Sequence, residues 1–303
     1  MSNHYPPHSH VLITGANGQV GWELLRRAGA CRLPFLGGTR EDLDITRAHL
    51  VHEEILDTRP ALVVNAAAYT AVDRAEEEPD AAYAVNRDGV VNLAQACTVA
   101  GVPLIHLSTD YVFDGDKPGS YTEDDPVCPV NVYGKSKEAG ERALRERLRR
   151  HVILRTSWVY GVHGNNFVKT MLRVGRERDQ LRVVADQQGC PTAAGDIADT
   201  VIALANRILE GGDDFAWGTY HYAGAGVVSW HGLAEAVFAV AAAHWERTVE
   251  VVPISTADYP TAAKRPMNSV LDCGRIEATF GIRPRRWRDA VGEVVTELMT
   301  VGE

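Results

Sequence analysis

No apolar run in this 303-residue chain is long enough to span a bilayer, and none near its start resembles the core of a secretory signal. The expectation is a cytoplasmic protein with no membrane partner. Positive charge is scarce. Lys and Arg number 31 against 40 Asp and Glu, a net charge of -9, which argues against a general nucleic-acid binder but not against a nucleotide ligand. The five cysteines (Cys31, Cys97, Cys128, Cys190, Cys273) are odd in number, widely spread and form no C-x-x-C pair, so they read as reduced thiols. Cys190 lies in a Gly-Cys-Pro loop that could expose it, and still reads as inert. Low-complexity linkers and internal repeats are also missing, so a second lobe is expected to pack closely on the first.

What is present is an ordinary globular composition, 45% hydrophobic and 23% charged, in a chain long enough for one large domain or two interleaved lobes. Residues 1–10, with two prolines and three histidines, read as a disordered N-terminal tail. Beyond them, short apolar runs at 11–15, 33–38, 61–67, 103–108 and 152–156 read as strands. Helical periods fall between them at 19–28, 46–56, 81–100 (broken near Gly89) and 131–150. Strands apolar on both faces, separated by helices, predict a doubly wound α/β fold with a parallel sheet covered on both sides. Further on, helices are expected at 166–178, 196–209, 232–244 and 288–299, with strands at 181–185, 219–223 and 249–254. This looser stretch suggests a smaller mixed α/β lobe. The run ERALRERLRR at 141–150 reads as a solvated helix face.

Two patterns carry chemistry. Thr14-Gly15-Ala-Asn-Gly18-Gln-Val-Gly21 follows the first strand and opens the first helix, where glycines allow close backbone approach and helix amides face an anionic diphosphate. Gly15, Asn17, Gly18, Gln19, Val20 and Gly21 are the candidate cofactor contacts. Thr39 and Arg40, ending the second strand, tilt the reading toward NADP(H), with NAD(H) the alternative, since arginine suits a 2'-phosphate; as a surface residue Arg40 would carry no such meaning. The second pattern is Tyr133-Gly-Lys-Ser-Lys137. Residues four apart share a helix face, and a lysine charge near a phenol favours its ionisation.

In order along the chain, the glycine loop, Asn65-Ala-Ala-Ala68, Ser108-Thr109-Asp110 and Tyr133-x-x-x-Lys137 resemble the extended short-chain dehydrogenase/reductase family. Gly18-Gln-Val-Gly-Trp-Glu23, Ser108-Thr-Asp-Tyr-Val-Phe-Asp-Gly115, Arg155-Thr-Ser-Trp-Val-Tyr160, Asp186-Gln-Gln-Gly-Cys-Pro-Thr192 and Arg265-Pro-Met-Asn-Ser269 are similar to its dTDP-4-dehydrorhamnose reductase branch. The likeness implies a Rossmann-like domain at 11–155 and a mainly substrate-binding lobe at 156–303, interleaved with elements returning to the first. It implies NADP(H)-dependent reduction of a dTDP-linked 4-keto-6-deoxyhexose, by a monomer or homodimer.

Carried over residue by residue, the resemblance makes Tyr133 the proton donor. Lys137 becomes the ribose ligand that lowers the Tyr133 pKa, and Thr109 a second donor to the keto oxygen. Ala66, Ala67, Ala68, Asp44 and Ile45 would line the cofactor. Val72, Asp110 and Trp158 would line the sugar pocket, with Asn166 and Arg265 on the nucleotide or diphosphate. Trp158 reads equally well as core filler, and Thr109 as a turn cap. Asn86 is a candidate for the water-bridging asparagine of that superfamily, but reads better as a helix-surface residue. Glu23 raises the expectation of a divalent metal, Mg2+, at a subunit contact. Nucleotide-sugar 4,6-dehydratases carry a glutamate after the Thr-Asp pair, where this chain has Tyr111, which counts against dehydration. A dinucleotide-binding regulatory subunit would not need the intact Thr109, Tyr133 and Lys137. A reductase acting on another deoxysugar stays open.

Overall fold

The computed structural model describes residues 7–211, 214–245 and 247–301. Of the expected tail, residues 1–6 lie outside the described residues. The rest is anchored: the His8 N–H donates to the Arg59 carbonyl, His10 is fully buried, and its carbonyl accepts from Ala61.

Six parallel strands form the central sheet. In chain order the first five are β1 (Val11–Thr14), β2 (Phe35–Gly38), β3 (Leu62–Asn65), β4 (Leu104–Thr109) and β5 (His151–Thr156). The sixth, Gly218–His221, pairs with β5 in parallel. Across the sheet the order is β2, β1, β3, β4, β5 and then Gly218–His221. Pairing steps outward from β1 to β2, then reverses to β3 on the other side. Loops leaving the C-terminal ends of β1 and β3 therefore diverge and open a crevice, the usual ligand position in such sheets.

Both faces of the strands are apolar because both are covered. Val11, Ile13, Val64 and Ile105 pack with Leu24 of α1 (Gln19–Arg26) and with Ile197 and Val201 of the helix Ala194–Gly211. Leu12, Val63, Leu104 and Ile153 face the other way. There they meet α2 (Ala48–Thr58), α5 (Gly89–Ala100) and α6 (Val132–Arg147). Between α2 and α5 lie α3 (Val72–Glu77) and α4 (Pro79–Tyr83). The break expected near Gly89 is a π turn at Ala84–Asp88, just ahead of that glycine. It turns Asn86 inward, against the expected surface position. Asn86 is 1% exposed; its amide bonds both backbone groups of Tyr69 and the Ser136 hydroxyl on α6.

Later residues build a second layer. Strands Gln180–Val184 and Glu250–Ile254 pair in parallel beneath helices Phe167–Gly175 and Trp230–Trp245. Among the described residues, no helix is long and apolar enough to cross a membrane.

Candidate active site

The crevice begins at Gly15, whose φ of 73° lies in the left-handed region. A Cβ there would sit 2.5 Å from the Ala67 amide nitrogen, so only glycine lets the loop after β1 lie against the loop after β3. At Gly21, on α1, a Cβ would collide with the Gly15 carbonyl oxygen. These contacts hold a bare backbone turn at the N-terminus of α1, where unpaired amides and the helix dipole suit a diphosphate. A cleft of about 290 Å³ continues from this turn past Ala66–Ala68 to Ile45, Asp44 and Arg40. Gly21→Ala must push the turn aside, and overpacking of this kind costs about 1–3 kcal/mol. Affinity for the dinucleotide expected there, measured by calorimetry, should fall about tenfold or more, while circular dichroism stays that of a folded protein.

Other expected cofactor contacts have structural duties too. Thr39 is held by Asp42 through its amide (3.0 Å) and hydroxyl (2.7 Å). Arg40 is largely exposed, 3.7 Å from the Asp44 carboxylate at the cleft edge. Val20 is buried, the Asn17 carbonyl accepts from the His163 ring, and Gln19 accepts from Asn166.

The second half of the site stands on β4 and α6. Asn131 caps α6, its side-chain oxygen accepting from the Gly134 amide while its NH2 donates to the Lys264 carbonyl. That cap fixes the first helical turn, which carries Tyr133; Lys137 follows one turn on. The Tyr133 ring meets Tyr111 edge to face, with centroids 5.7 Å apart. Burial pushes the Tyr133 phenol up to about 12, against the opposing pull of the Thr109 hydroxyl beside it. Burial outweighs the lowering expected from Lys137. Lys137, 2% exposed, turns its ammonium to the Leu107 carbonyl (2.7 Å) and toward His106 Nε2 (3.5 Å). Its own pKa is drawn down to about 8 by burial, opposed by Glu141.

Thr109 ends β4. Its hydroxyl donates to Asp110 Oδ1 (3.0 Å) and accepts from the Tyr111 amide (3.2 Å), so it is both the expected cap and a neighbour of Tyr133. Asp110 is 3% exposed, and burial raises its carboxyl to about 7. Its Oδ2 has no hydrogen bond of good geometry, although the Ser269 hydroxyl lies beside it.

The run at 141–150 is not simply a solvated face. Glu141 is fully buried, and its carboxylate accepts from Arg155 Nε (2.9 Å) and Nη2 (2.7 Å), from Ser108 (2.5 Å) and from Arg145 (3.0 Å). Ser108 precedes Thr109, and Glu141 lies one turn beyond Lys137. This ion pair therefore locks α6 onto β4 and β5 directly behind the chemistry.

Trp158 adopts φ 48°, rare for a residue with a side chain and frequent at functional sites. Its ring stacks on Trp230 with centroids 3.5 Å apart and planes within 4°. Trp230, anchored by Gln187 (3.2 Å), walls a cavity of about 300 Å³ with Phe167, Arg182, Tyr259 and Arg265. Val72 opens α3, and the next residue, Asp73, grips Arg265 at 2.7 and 3.0 Å. Asn166, expected at the nucleotide or diphosphate, caps the helix Phe167–Gly175, and its NH2 donates to Gln19 and the Gly161 carbonyl. Cys190 is buried, not exposed, with its thiol raised to about 11 by burial.

Glu23, expected at a metal on a subunit contact, is already paired within the chain. Its carboxylate pairs with Arg26 (2.9 Å) and Arg27 (3.1 Å), and no cluster of three His, Cys, Asp or Glu side chains suited to a metal occurs among the described residues.

A glycine-turned dinucleotide cleft beside a Thr–Tyr–Lys group agrees with the family model described as the RmlD substrate binding domain, which matches residues 9–300. The chain belongs to that family. A dTDP-4-dehydrorhamnose reductase from Sinorhizobium fredii is 46% identical over 293 residues, covering 97% of this chain and 99% of that protein. One from Aggregatibacter actinomycetemcomitans is 47% identical over 291 residues, covering 94% and 98%. The crystal structure of the Bacillus anthracis dTDP-4-dehydrorhamnose reductase in complex with NADP superposes with a TM-score of 0.88 at 37% identity, covering 95% of this chain and 99% of that one. In this chain, Trp230 and the Glu141–Arg155 pair stand beside the candidate site, and local sequence reading did not find them. Each makes its contact with a residue distant in the chain, so no short motif announces it.

Proposed function

We propose that this protein reduces the 4-keto group of a dTDP-linked 4-keto-6-deoxyhexose, converting dTDP-4-dehydro-L-rhamnose to dTDP-L-rhamnose at the expense of NADPH. The observation that carries the reading is the convergence of Thr109, Tyr133 and Lys137 at the end of β4, across the crevice from the Gly15 turn. The names of the full-length relatives support the same substrate. Bound along the cleft, with its diphosphate at Gly15–Gly21 and its adenosine toward Asp44 and Ile45, a nicotinamide dinucleotide supplies the hydride.

As the carbonyl oxygen gains negative charge, Tyr133 gives it a proton and Thr109 turns its hydroxyl toward it. A phenol raised to about 12 is protonated at neutral pH, as a donor must be. Lys137 keeps the potential positive where the phenolate forms. The aromatic walls and two arginines of the 300 Å³ cavity suit a nucleoside diphosphate; on this reading the sugar lies between Trp158, Asp110 and Val72. Thr39 and Arg40 favour the 2'-phosphate of NADPH.

The test is NMR analysis of the product after incubation with NADPH and candidate ketosugars. A 4-hydroxy sugar formed with stoichiometric NADPH loss is expected. Tight NADPH binding without turnover of any such sugar would instead point to a regulatory role. A kcat/KM for NADPH no better than for NADH would remove the cofactor preference alone.

A further inference from the structure

His106 lies on β4 under Lys137, fully buried and outside the reaction as drawn so far. Its hydrogen bonds determine which ring nitrogen carries the proton. The Ala67 amide can only donate, and it faces Asn65 Oδ1 at 3.1 Å, as does the Thr14 hydroxyl at 2.7 Å. The Asn65 amide is thereby oriented, and its NH2 points at His106 Nδ1, 3.0 Å away. Nδ1 must accept, so a neutral imidazole carries its hydrogen on Nε2, the nitrogen that faces Lys137 Nζ at 3.5 Å. An ammonium has three donors and no acceptor, so an N–H aimed at it is unfavourable; a neutral amine would accept that N–H through its lone pair.

We propose that His106, held in its Nε2–H form by Asn65, is a positioning residue that governs how readily Lys137 keeps its third proton. The chain Ala67–Asn65–His106–Lys137 links the loop after β3, which flanks the dinucleotide cleft, to the lysine of the reduction. The proposal rests on the reading of Lys137 given above.

The surroundings are consistent with it. His106 is held neutral by burial first and then by the Lys137 charge, with His151 of β5 acting the same way and Glu141 opposing. Around Lys137 the opposing charge is Glu141 on its own helix, already engaged by Arg155 and Arg145. From β3 the group that faces His106 is the uncharged Asn65.

The experiment is NMR on the free protein, whose five lysines make 13Cε-lysine spectra simple to assign. In the wild type, 15N-histidine spectra should show His106 neutral with its proton on Nε2; a proton on Nδ1 overturns the proposal whatever the variants do. His106→Gln can turn a carbonyl to the ammonium, and Asn65→Asp moves the ring proton to Nδ1, leaving Nε2 to accept. Each should raise the Lys137 midpoint by about one pH unit or more, and an unmoved midpoint in a folded variant overturns the proposal. The alkaline fall of kcat/KM should shift with the midpoint, whereas general damage would lower the rate without moving the limb. If the midpoint moves but the wild type reduces no ketosugar, the functional reading has failed and the His106 assignment stands.

Discussion

Tyr133→Phe should reduce kcat by about 10²–10⁴-fold, the usual contribution of a positioned general acid, while leaving NADPH affinity near the wild-type value. The substitution removes one hydroxyl and keeps the ring edge against Tyr111, so the first turn of α6 and its Asn131 cap stay in place. Stopped-flow NADPH oxidation with the ketosugar, set beside calorimetric NADPH binding, separates the two effects. Near-normal turnover would remove Tyr133 as proton donor. The pH profile adds a second check. With the phenol raised to about 12 and Lys137 drawn down to about 8, the alkaline loss of activity should belong to the lysine. As pH rises through about 8, Lys137 sheds its charge, the nascent phenolate loses its support, and kcat/KM declines while Tyr133 is still protonated.

Glu141→Ala should cost about 3–5 kcal/mol of folding stability, because it leaves the Arg155 guanidinium buried without its partner. Arg155 is 3% exposed, and beyond Glu141 its guanidinium meets His221, 3.4 Å away and itself pushed to about 3 by burial and by Arg155. The direction with pH follows from linkage. Glu141 is held at about 2, below its ordinary 4.5, chiefly by Arg155 against the penalty of burial. Its contribution is complete above the ordinary value and disappears as pH falls toward 2. Urea titrations should therefore show the gap between wild type and Glu141→Ala closing through that acid range. A gap that is small at pH 7, or constant with pH, would contradict the buried-pair account.

Much of this architecture is readable from the chain because its signals are local. The β1 run, the glycine turn and the four-residue spacing of Tyr133 and Lys137 each lie within one short segment, and periodicity finds such segments. Parallel strands buried on both faces also announce themselves by continuous apolar runs, as in β3 and β5. What escapes is whatever a distant partner decides. Glu141 looks like any exposed glutamate until Arg155 and Ser108 close over it. Asn86 sits in a helical period, yet a π turn rotates it inward to Tyr69. Asn166 matches a family motif, and its bond to Gln19, across 147 residues, could not be read from that motif. In each case the residue type was visible and its competitor for hydrogen bonds was not.

The pairing of β5 with Gly218–His221 has a consequence for biosynthesis. Arg155 and His221, opposite one another in register, are 66 residues apart, so β5 leaves the ribosome well before its outer neighbour exists. Until then its open edge can accept any extended segment, including one from another nascent chain. The sheet that carries Thr109 is thus completed late, with one edge of β5 left unpaired over the interval between translating β5 and its partner.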